Sequence, residues 1–189
     1  IASLVLDEPQ NMVVTNDWIG AAEAADHLAD LGHRRIALVR GLASFRSSVV
    51  RGQGFIDALT KRGITLSPEY ALQGAYTYES GVEAGHALLS LPQPPTAIFT
   101  LNDDMALGVM QAARERGMEL PRDLSVVGFD DLPMAARVWP NLTSVRLPIR
   151  DMGRMAAEKL LAPTRGVDPA KLVQPEVRPA LVVRHSAAP

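Results

Sequence analysis

The stretch TAIFTLNDDMALGVMQAARERGMELPRDLSVVGFDD, residues 96–131, contains two short apolar runs separated by a segment with helical periodicity. The first run ends at Asn102, which opens a polar cluster suited to capping a helix. Apolar residues then recur with the spacing of one helix face, and Gly117 can end that helix in a left-handed turn. The second apolar run, residues 125–129, stops at Asp130. The stretch therefore predicts a strand, a helix and a second strand.

Two of these polar residues, Asn102 and Asp130, are expected to lie close together. Strands joined by one helix are almost always parallel, so both end at the same edge of the sheet. Open α/β sheets bind ligands at that edge, where an amide and a carboxylate can bind hydroxyl groups. The alternative is that such residues only cap a helix or form a turn. We favour that interpretation for Asp103, Asp104 and Asp131.

The composition is that of an ordinary globular protein. The chain has 189 residues, of which 47% are hydrophobic and 21% charged, enough for one large domain or two small lobes. The formal net charge is −2 and no basic run exceeds His33-Arg34-Arg35, so nothing indicates a surface that binds nucleic-acid phosphates by itself. No apolar run approaches the length of a membrane span. The absence of cysteine excludes disulfides, thiol catalysis and Cys-ligated zinc.

Strands that end in polar residues recur near the start of the chain. The opening run, residues 1–6, predicts a buried strand that ends at Asp7. Because the chain begins inside a strand, we interpret it as part of a longer protein. A second short strand ends at Thr15, and Asn16-Asp17 can cap the alanine-rich helix that follows.

Arg51 and Tyr76 follow the next two predicted strands. Ser47 or Ser48 can cap the helix after a strand at residues 36–39, which places Arg51 in the first helical turn. A cation there opposes the helix dipole, so we expect an anionic or hydroxyl-rich partner to hold it; the alternative is a solvated surface arginine. Tyr76 follows a weak strand, where its ring can stack on a sugar or base, or else cover the edge of the core.

The last third of the chain continues the alternation. Residues 143–147 predict a strand, Pro148 begins a helix with a methionine stripe, and residues 180–184 predict a final strand. Residues 186–189 are expected to fray. Strands and helices alternate without an internal repeat, which predicts an α/β fold with a parallel sheet and helices on both faces.

The residues that carry chemistry do not form an enzymatic constellation. The four histidines lack metal-ligand spacing, and each is interpreted as a surface or helix-end residue. The chain has no nucleophile elbow and no phosphate-binding loop, and Gly52-Gln53-Gly54 fails as a dinucleotide fingerprint because it lies inside a predicted helix. We predict no catalytic residue, no metal and no cofactor. The strand-end residues instead predict a binding site formed by Asp7, Arg51, Tyr76, Asn102 and Asp130.

Five blocks of the sequence resemble one known family. In chain order they are AADHLADLGHRRIALV (24–39), RGQGF (51–55), NDDMALG (102–108), LSVVGFDD (124–131) and PNLTSV (140–145). With these blocks in this order, nearly the whole chain resembles the lactose/galactose repressor (LacI/GalR) family of bacterial transcription regulators. One departure is Asn16-Asp17, where the family usually has aspartate followed by asparagine.

The resemblance implies a two-lobed effector-binding core built like the periplasmic sugar-binding proteins. Residues 1–10 would end the N-terminal lobe, and residues 11–141 would form the C-terminal lobe. Residues 142–162 would return to the N-terminal lobe, and residues 163–189 would cross back as a loop and final strand. The N-terminal helix-turn-helix domain would lie outside this chain.

The resemblance also implies a function. A sugar-like metabolite would bind between the lobes and control operator binding allosterically, in a cytoplasmic, homodimeric repressor that contacts DNA through its helix-turn-helix domain. The family's effector contacts carry over to the five strand-end residues, with Thr15 and Ser47 as further candidates. The alternative is a solute-binding protein of a sugar transport system, which shares the fold.

Overall fold

The computed structural model describes residues 13, 15–166, 168 and 177–189. The β-strands in these residues are β1 (Ile36–Arg40), β2 (Ala71–Gln73), β3 (Ala97–Thr100), β4 (Ser125–Asp130), β5 (Thr143–Arg146) and β6 (Ala180–Val182). The α-helices are α1 (Asp17–Asp30), α2 (Arg46–Lys61), α3 (Tyr78–Leu89), α4 (Asp103–Glu115) and α5 (Ile149–Leu161). The strand predicted at residues 1–6 lies outside the described residues.

The strands form one sheet in the order β2-β1-β3-β4-β5-β6. Strands β1 to β5 pair in parallel, and Ile98 of β3 lies opposite Ala37 of β1 and Val126 of β4. This arrangement confirms the predicted α/β fold with a parallel sheet. The exception is β6, which pairs antiparallel with β5.

The central strands are apolar along their whole length because both faces of the sheet are covered. Every residue of β3 is buried, and β1 and β4 are buried except for their last residues, Arg40 and Asp130. Such strands are typical of sheets with helices on both faces. Helix α1 packs on α2 and α3 packs on α4. Right-handed crossovers place the two helix pairs on opposite faces.

Glycines allow the paired helices to approach each other closely. A Cβ at Gly108 of α4 would lie 2.2 Å from the carbonyl oxygen of Tyr78 in α3. In the reverse direction, a Cβ at Gly81 would lie 2.3 Å from the carbonyl oxygen of Met105. Helices α1 and α2 meet in the same way at Gly54. The backbones of each pair are therefore in direct contact.

Helix α2 begins earlier than the sequence predicts. Its N-cap is Phe45, which has extended backbone and no side-chain cap, so the predicted cap at Ser47 or Ser48 is wrong. The Phe45 ring stacks on Tyr76, with ring centroids 5.8 Å apart, and this packing holds the residue that precedes the helix. Because the helix begins one residue after Phe45, Arg51 lies in its second turn rather than its first.

The C-terminal residues pack on the sheet, so the prediction that they fray is wrong. Ser186 is fully buried, its Oγ donates to the Val126 carbonyl oxygen at 2.6 Å, and it accepts from the Thr143 amide at 2.8 Å. His33 lies after α1, and its Nε2 is 3.0 Å from the carbonyl oxygen of Ala188. The interpretation of this histidine as a surface or helix-end residue therefore missed its contact with the chain terminus.

Strand β5 is hydrogen-bonded between β4 and β6, so the strand predicted to open the return segment 142–162 is part of this sheet. Helix α5, which follows β5, has an apolar face that is only partly covered. Met155 is 4% exposed, whereas Ile149, Leu160 and Leu161 are 60%, 79% and 47% exposed. None of the helices in the described part of the chain has both the length and the apolar character of a membrane span.

Candidate functional site

The parallel pairing of β3 and β4 brings Asn102 and Asp130 to the same edge of the sheet, as predicted. Asn102 is 7% exposed and caps α4, because its Oδ1 accepts a hydrogen bond from the Met105 amide at 3.0 Å. Its Nδ2 donates to the Tyr76 carbonyl oxygen, also at 3.0 Å. Asn102 therefore connects the loops that follow β2 and β3.

Tyr76 is held at this edge by packing on two sides. Its ring stacks on Phe45 with an interplanar angle of 19°. The opposite loop contributes Gly41, where an added Cβ would come within 1.9 Å of a tyrosine ring carbon. The backbone of Tyr76 has a φ of 64°, in the left-handed region that non-glycine residues seldom adopt. Its hydroxyl oxygen is buried and has no hydrogen-bond partner among the described residues.

Arg51 is the centre of a buried ion-pair cluster. It is 7% exposed, and its Nε donates to Asp17 Oδ2 at 2.8 Å. Its Nη1 donates to the Leu101 carbonyl oxygen at 2.7 Å and to Asp130 Oδ1 at 3.2 Å. The anionic partner that the sequence predicts for this arginine is thus a pair of carboxylates from the protein itself. The cluster ties α1 and α2 to the ends of β3 and β4.

The Arg51 guanidinium also lies over the ring of Phe129, with Cζ 3.7 Å from the ring centroid. A cation over an aromatic face is attracted by the ring quadrupole, which further fixes the orientation of the guanidinium. Within the described residues Nη2 makes no hydrogen bond. This nitrogen can therefore donate to a ligand while Nε and Nη1 stay bound to the protein.

Asp130 has an unusual backbone and a raised pKa. Its φ is 106°, a conformation that favours glycine and that is found in other residues mainly at functional sites. Burial raises the pKa of Asp130 to about 6, Arg51 acts in the opposite direction, and the carboxylates of Asp17 and Asp104 raise it further. At neutral pH the carboxylate is mostly ionised and can accept hydrogen bonds from hydroxyl groups.

The remaining predicted residues differ in their relation to the cluster. Thr15 belongs to it, because its Oγ1 donates a hydrogen bond to Asp17 Oδ1. Ser47 is half-buried in the first turn of α2, and within the described residues no hydrogen bond joins it to the cluster. Asp7 lies outside the described residues. The structure thus places Thr15, Arg51 and Asp130 in one connected group, with Tyr76 and Asn102 bonded to each other beside it.

Two aspartates interpreted as a cap and a turn have larger structural roles. Asp103 is fully buried, and it accepts hydrogen bonds from Ser144 Oγ at 2.5 Å and from the Leu132 amide at 2.6 Å. Asp131 pairs with Arg146 of β5 at 2.5 Å. Both carboxylates hold the loop after β4 against its neighbours, and neither role follows from capping preferences alone.

The sequence did not identify Asp17 or Phe129 as site residues. Asp17 was interpreted only as part of a helix cap, and it does occupy the first position of α1, after the N-cap Asn16. It lies 34 positions from Arg51, and no local spacing indicates a contact over that distance. The sequence did indicate that Arg51 needs an anionic partner. It does not indicate which carboxylate is that partner, so Asp17 could not be identified.

The site has the composition of a binding site. Among the described residues, no group of three or more His, Asp or Glu side chains could hold a metal ion. The side chains that meet at the sheet edge are an arginine, two aspartates, an asparagine and a threonine, with aromatic rings beside them. Such groups donate and accept hydrogen bonds, as the contacts of a bound polar ligand require.

Comparison with known proteins extends over nearly the whole chain. Residues 25–187 match the profile of the periplasmic binding protein-like domain. A probable HTH-type transcriptional repressor from Bacillus subtilis, ExuR, is 40% identical over 150 residues, which are 79% of this chain and 45% of the relative. The chain spans about half the length of the curated relatives it matches.

Solved structures show the same similarity. A sugar-binding transcriptional regulator of the LacI family from Escherichia coli, in complex with phosphate, has a TM-score of 0.90 and 31% identity, covering 100% of this chain and 67% of that chain. The transcriptional regulator CelR, in complex with cellobiose, has a TM-score of 0.82 and 32% identity, covering 91% of this chain and 52% of that chain.

Proposed function

The chain belongs to the LacI family of transcriptional regulators, and we propose that it is the effector-sensing part of such a regulator. A small polyhydroxylated metabolite, such as a sugar, binds at the sheet edge that carries Arg51, Asn102 and Asp130. The relatives described above are transcriptional regulators, which agrees with the prediction that this chain is not an enzyme. The same relatives disfavour the alternative of a transport protein.

The observation that carries this proposal is the pairing of Arg51 with Asp130 at the carboxyl edge of a parallel sheet. Nη1 of Arg51 lies 3.2 Å from Asp130 Oδ1, which holds the remaining guanidinium donor, Nη2, close to a carboxylate acceptor. A donor beside an acceptor suits a hydroxyl group because a hydroxyl both accepts and donates. The Asp130 side chain is 27% exposed, so it remains accessible to a ligand. Tyr76, whose ring packs against Phe45 and Gly41 and whose carbonyl oxygen accepts from Asn102, is proposed as an aromatic wall of this site.

The regulatory step follows from differential affinity. A ligand that binds one arrangement of the two lobes more tightly than another shifts the population toward that arrangement. We propose that this shift changes operator binding through a helix-turn-helix domain outside this chain, in a cytoplasmic homodimer. A formal net charge of −2 suits a part of the protein that senses a metabolite rather than contacting DNA.

The second lobe is proposed to come mostly from residues outside this chain. Residues 1–10, including Asp7, would end that lobe and bring a carboxylate to the cleft. Helix α5 would pack against it through Ile149, Leu160 and Leu161, whose exposure marks the kind of apolar face that forms interfaces. Residues 11–141 together with β5 and β6 would form the lobe that the structure describes.

The substitution Asp130→Asn tests the site. Arg51→Ala is expected to abolish the response as well, but it leaves buried carboxylates unpaired, which costs about 3–5 kcal/mol of stability. Asp130→Asn keeps the shape of the side chain and removes the charge that accepts the ligand's hydrogen bonds. A panel of monosaccharides and disaccharides, cellobiose included, is titrated calorimetrically onto the full-length protein. The sugar that binds wild type is expected to bind the variant at least about tenfold more weakly.

The matched control is Asp26→Asn. Asp26 also pairs with an arginine, Arg62, at 2.8 Å, but on the exposed surface of α1 and α2. This variant is expected to bind the sugar as wild type does. Equal affinities of wild type and Asp130→Asn, or a panel in which no sugar binds wild type, would contradict the proposal.

A further inference from the structure

The positive charge of Arg51 is neutralised before any ligand arrives. Its Nε lies 2.8 Å from Asp17 and its Nη1 lies 3.2 Å from Asp130. The Arg51 and Asp17 side chains are each 9% exposed, and that of Asp130 is 27% exposed. The cluster therefore combines one cation with two carboxylates, largely away from water, where charges interact more strongly than in bulk solvent.

The neighbouring charged residues do not reverse this balance. Asp104 lies close enough for its carboxylate to raise the pKa of Asp130, so it adds negative potential. Arg40, at the end of β1, lines a depression of about 120 Å³ together with Ser48, Gly52, Gln53 and Gln73. The lining of this depression includes none of Asp17, Arg51 and Asp130. Arg46, the first residue of α2, is exposed to solvent.

We propose that Asp17 sets the charge selectivity of the site, so that the effector is an uncharged polyhydroxylated molecule and ligands with a carboxylate or phosphate group are disfavoured. This inference rests on the proposed function, because it concerns the same binding site. Asp17 acts through Arg51 by compensating the guanidinium charge that would otherwise attract an anion. Nη2 of Arg51 still donates a hydrogen bond to a neutral hydroxyl oxygen, which does not require net positive charge.

The selectivity follows from the balance of forces on an anion at Arg51. Such a group would be attracted by one cation and repelled by two carboxylates within the same cluster. Asp17→Asn removes one repulsion with almost no change in side-chain shape. For charges about 6 Å apart at an effective dielectric constant of about 20, the affinity for the anion is expected to rise at least about tenfold. The affinity for a neutral ligand is expected to stay nearly the same, because such a ligand has no net charge for Asp17 to repel.

The experiment measures the affinities of inorganic phosphate, D-glucuronate and D-glucose for the full-length protein by calorimetry at constant ionic strength. In Asp17→Asn the affinity for phosphate and for glucuronate is expected to rise at least about tenfold over wild type. The affinity for glucose is expected to change by less than about threefold, and wild type is expected to bind glucose more tightly than glucuronate. Thermal unfolding verifies that each variant is folded.

A second variant keeps the test decisive if Asp17→Asn folds poorly. Asp130→Asn also removes one carboxylate from the cluster and is expected to gain affinity for phosphate, whereas the surface control Asp26→Asn is not. Unchanged phosphate and glucuronate affinities in the cluster variants would overturn the charge assignment, and so would a wild type that prefers glucuronate to glucose. If the cluster variants gain phosphate affinity but no neutral sugar binds wild type, the role of Asp17 stands and the proposed effector class is wrong.

Discussion

The carboxyl group of Asp103 is buried at the start of α4, one residue after Asn102. Burial raises its pKa to about 7, while its hydrogen bonds from Ser144 and the Leu132 amide act in the opposite direction. A Cβ at Gly128 would lie 2.3 Å from Asp103 Oδ1, so the carboxyl packs directly against β4 while Ser144 and the Leu132 amide hold it there. The group is therefore expected to change protonation near neutral pH without leaving its place.

Asp103→Asn removes this titration. The pKa of Asp103 in the folded protein, about 7, lies above its ordinary value of 3.8. The protonated carboxyl therefore stabilises the folded protein, and this contribution is fully present below about pH 4. It is lost as the pH rises through about 7. The free energy of unfolding of wild type relative to the variant is expected to fall by up to about 1.4 kcal/mol per pH unit over this range. Chemical denaturation at several pH values measures this difference.

Asp104→Asn is the control for this experiment, because it removes the same negative charge from an exposed position in the same helical turn. If the difference between wild type and Asp103→Asn does not depend on pH, the buried carboxyl is not protonated in the folded protein near neutral pH. Any pH dependence of the stability of wild type would then come from other groups. Asp103 would hold the loop after β4 as a charged carboxylate.

Asn102 shows why alternative interpretations of one residue need not exclude each other. The sequence left open whether it caps a helix or binds a ligand. In the structure Oδ1 caps α4 and Nδ2 binds the Tyr76 carbonyl oxygen. Ligand contact by Asn102 stays a prediction, since a carboxamide oxygen can accept a second hydrogen bond beside the cap.

The helix pairs depend on glycines where their backbones touch. Gly108→Ala is expected to lower the free energy of unfolding by about 1–3 kcal/mol, because its Cβ would collide with backbone atoms of α3 that cannot rotate away. The control is Gly52→Ala in α2, where a Cβ would have no atom within 4 Å. That variant is expected to be more stable than wild type by about 0.5–1 kcal/mol, because alanine favours the helix.

Urea denaturation of both glycine variants measures these changes in the free energy of unfolding. Equal effects of Gly108→Ala and Gly52→Ala would mean that α3 and α4 separate to accept a methyl group. The close backbone contact between the helices would then contribute little to stability.

The start of α2 illustrates how packing overrides local preference. Ser47 and Ser48 are good capping residues, yet the helix begins before them at Arg46. The preceding Phe45 is held by its stacking on Tyr76, a contact between two loops far apart in the sequence. Local capping propensity is worth about 1 kcal/mol, so an aromatic contact between two half-buried rings can outweigh it.

The C-terminal segment packs against the ends of the strands opposite to the candidate site, where β4 and β5 begin. Ser186 occupies a fully buried position between Val126 and Thr143, on two neighbouring strands. Ser125 Oγ and His33 Nε2 both lie within hydrogen-bonding distance of the Ala188 carbonyl oxygen. The last residues therefore contribute to the stability of the whole sheet.

Ser186→Ala tests this role. The substitution leaves a buried amide and a buried carbonyl oxygen without the partner that Oγ provides, which is expected to cost about 1–3 kcal/mol in the free energy of unfolding. Ser44→Ala, in an exposed loop, removes the same hydroxyl group and is expected to have little effect. Thermal unfolding distinguishes these results, and equal midpoints for the two variants would contradict the role of Ser186.

Much of the fold could be predicted because its signals are local. Apolar runs predict β1, β3 and β4, helical periodicity and polar caps predict the helices, and alternation of the two predicts a parallel sheet. Parallel strands end together, so the common edge that carries Asn102 and Asp130 also followed from the sequence. The antiparallel direction of β6 and the packing of the C-terminus depend on contacts between distant segments, and no local pattern indicates them.

The order of the elements and the position of the polar edge were thus already contained in the amino-acid sequence, since periodicity and capping act over a few residues. The choice of Asp17 and Asp130 as partners of Arg51 came from long-range packing. These carboxylates lie 34 and 79 positions from the arginine, and the chain offers many other aspartates. An ion pair forms only where folded elements bring the charges within a few ångströms, and that proximity depends on how α1, α2 and β4 pack together.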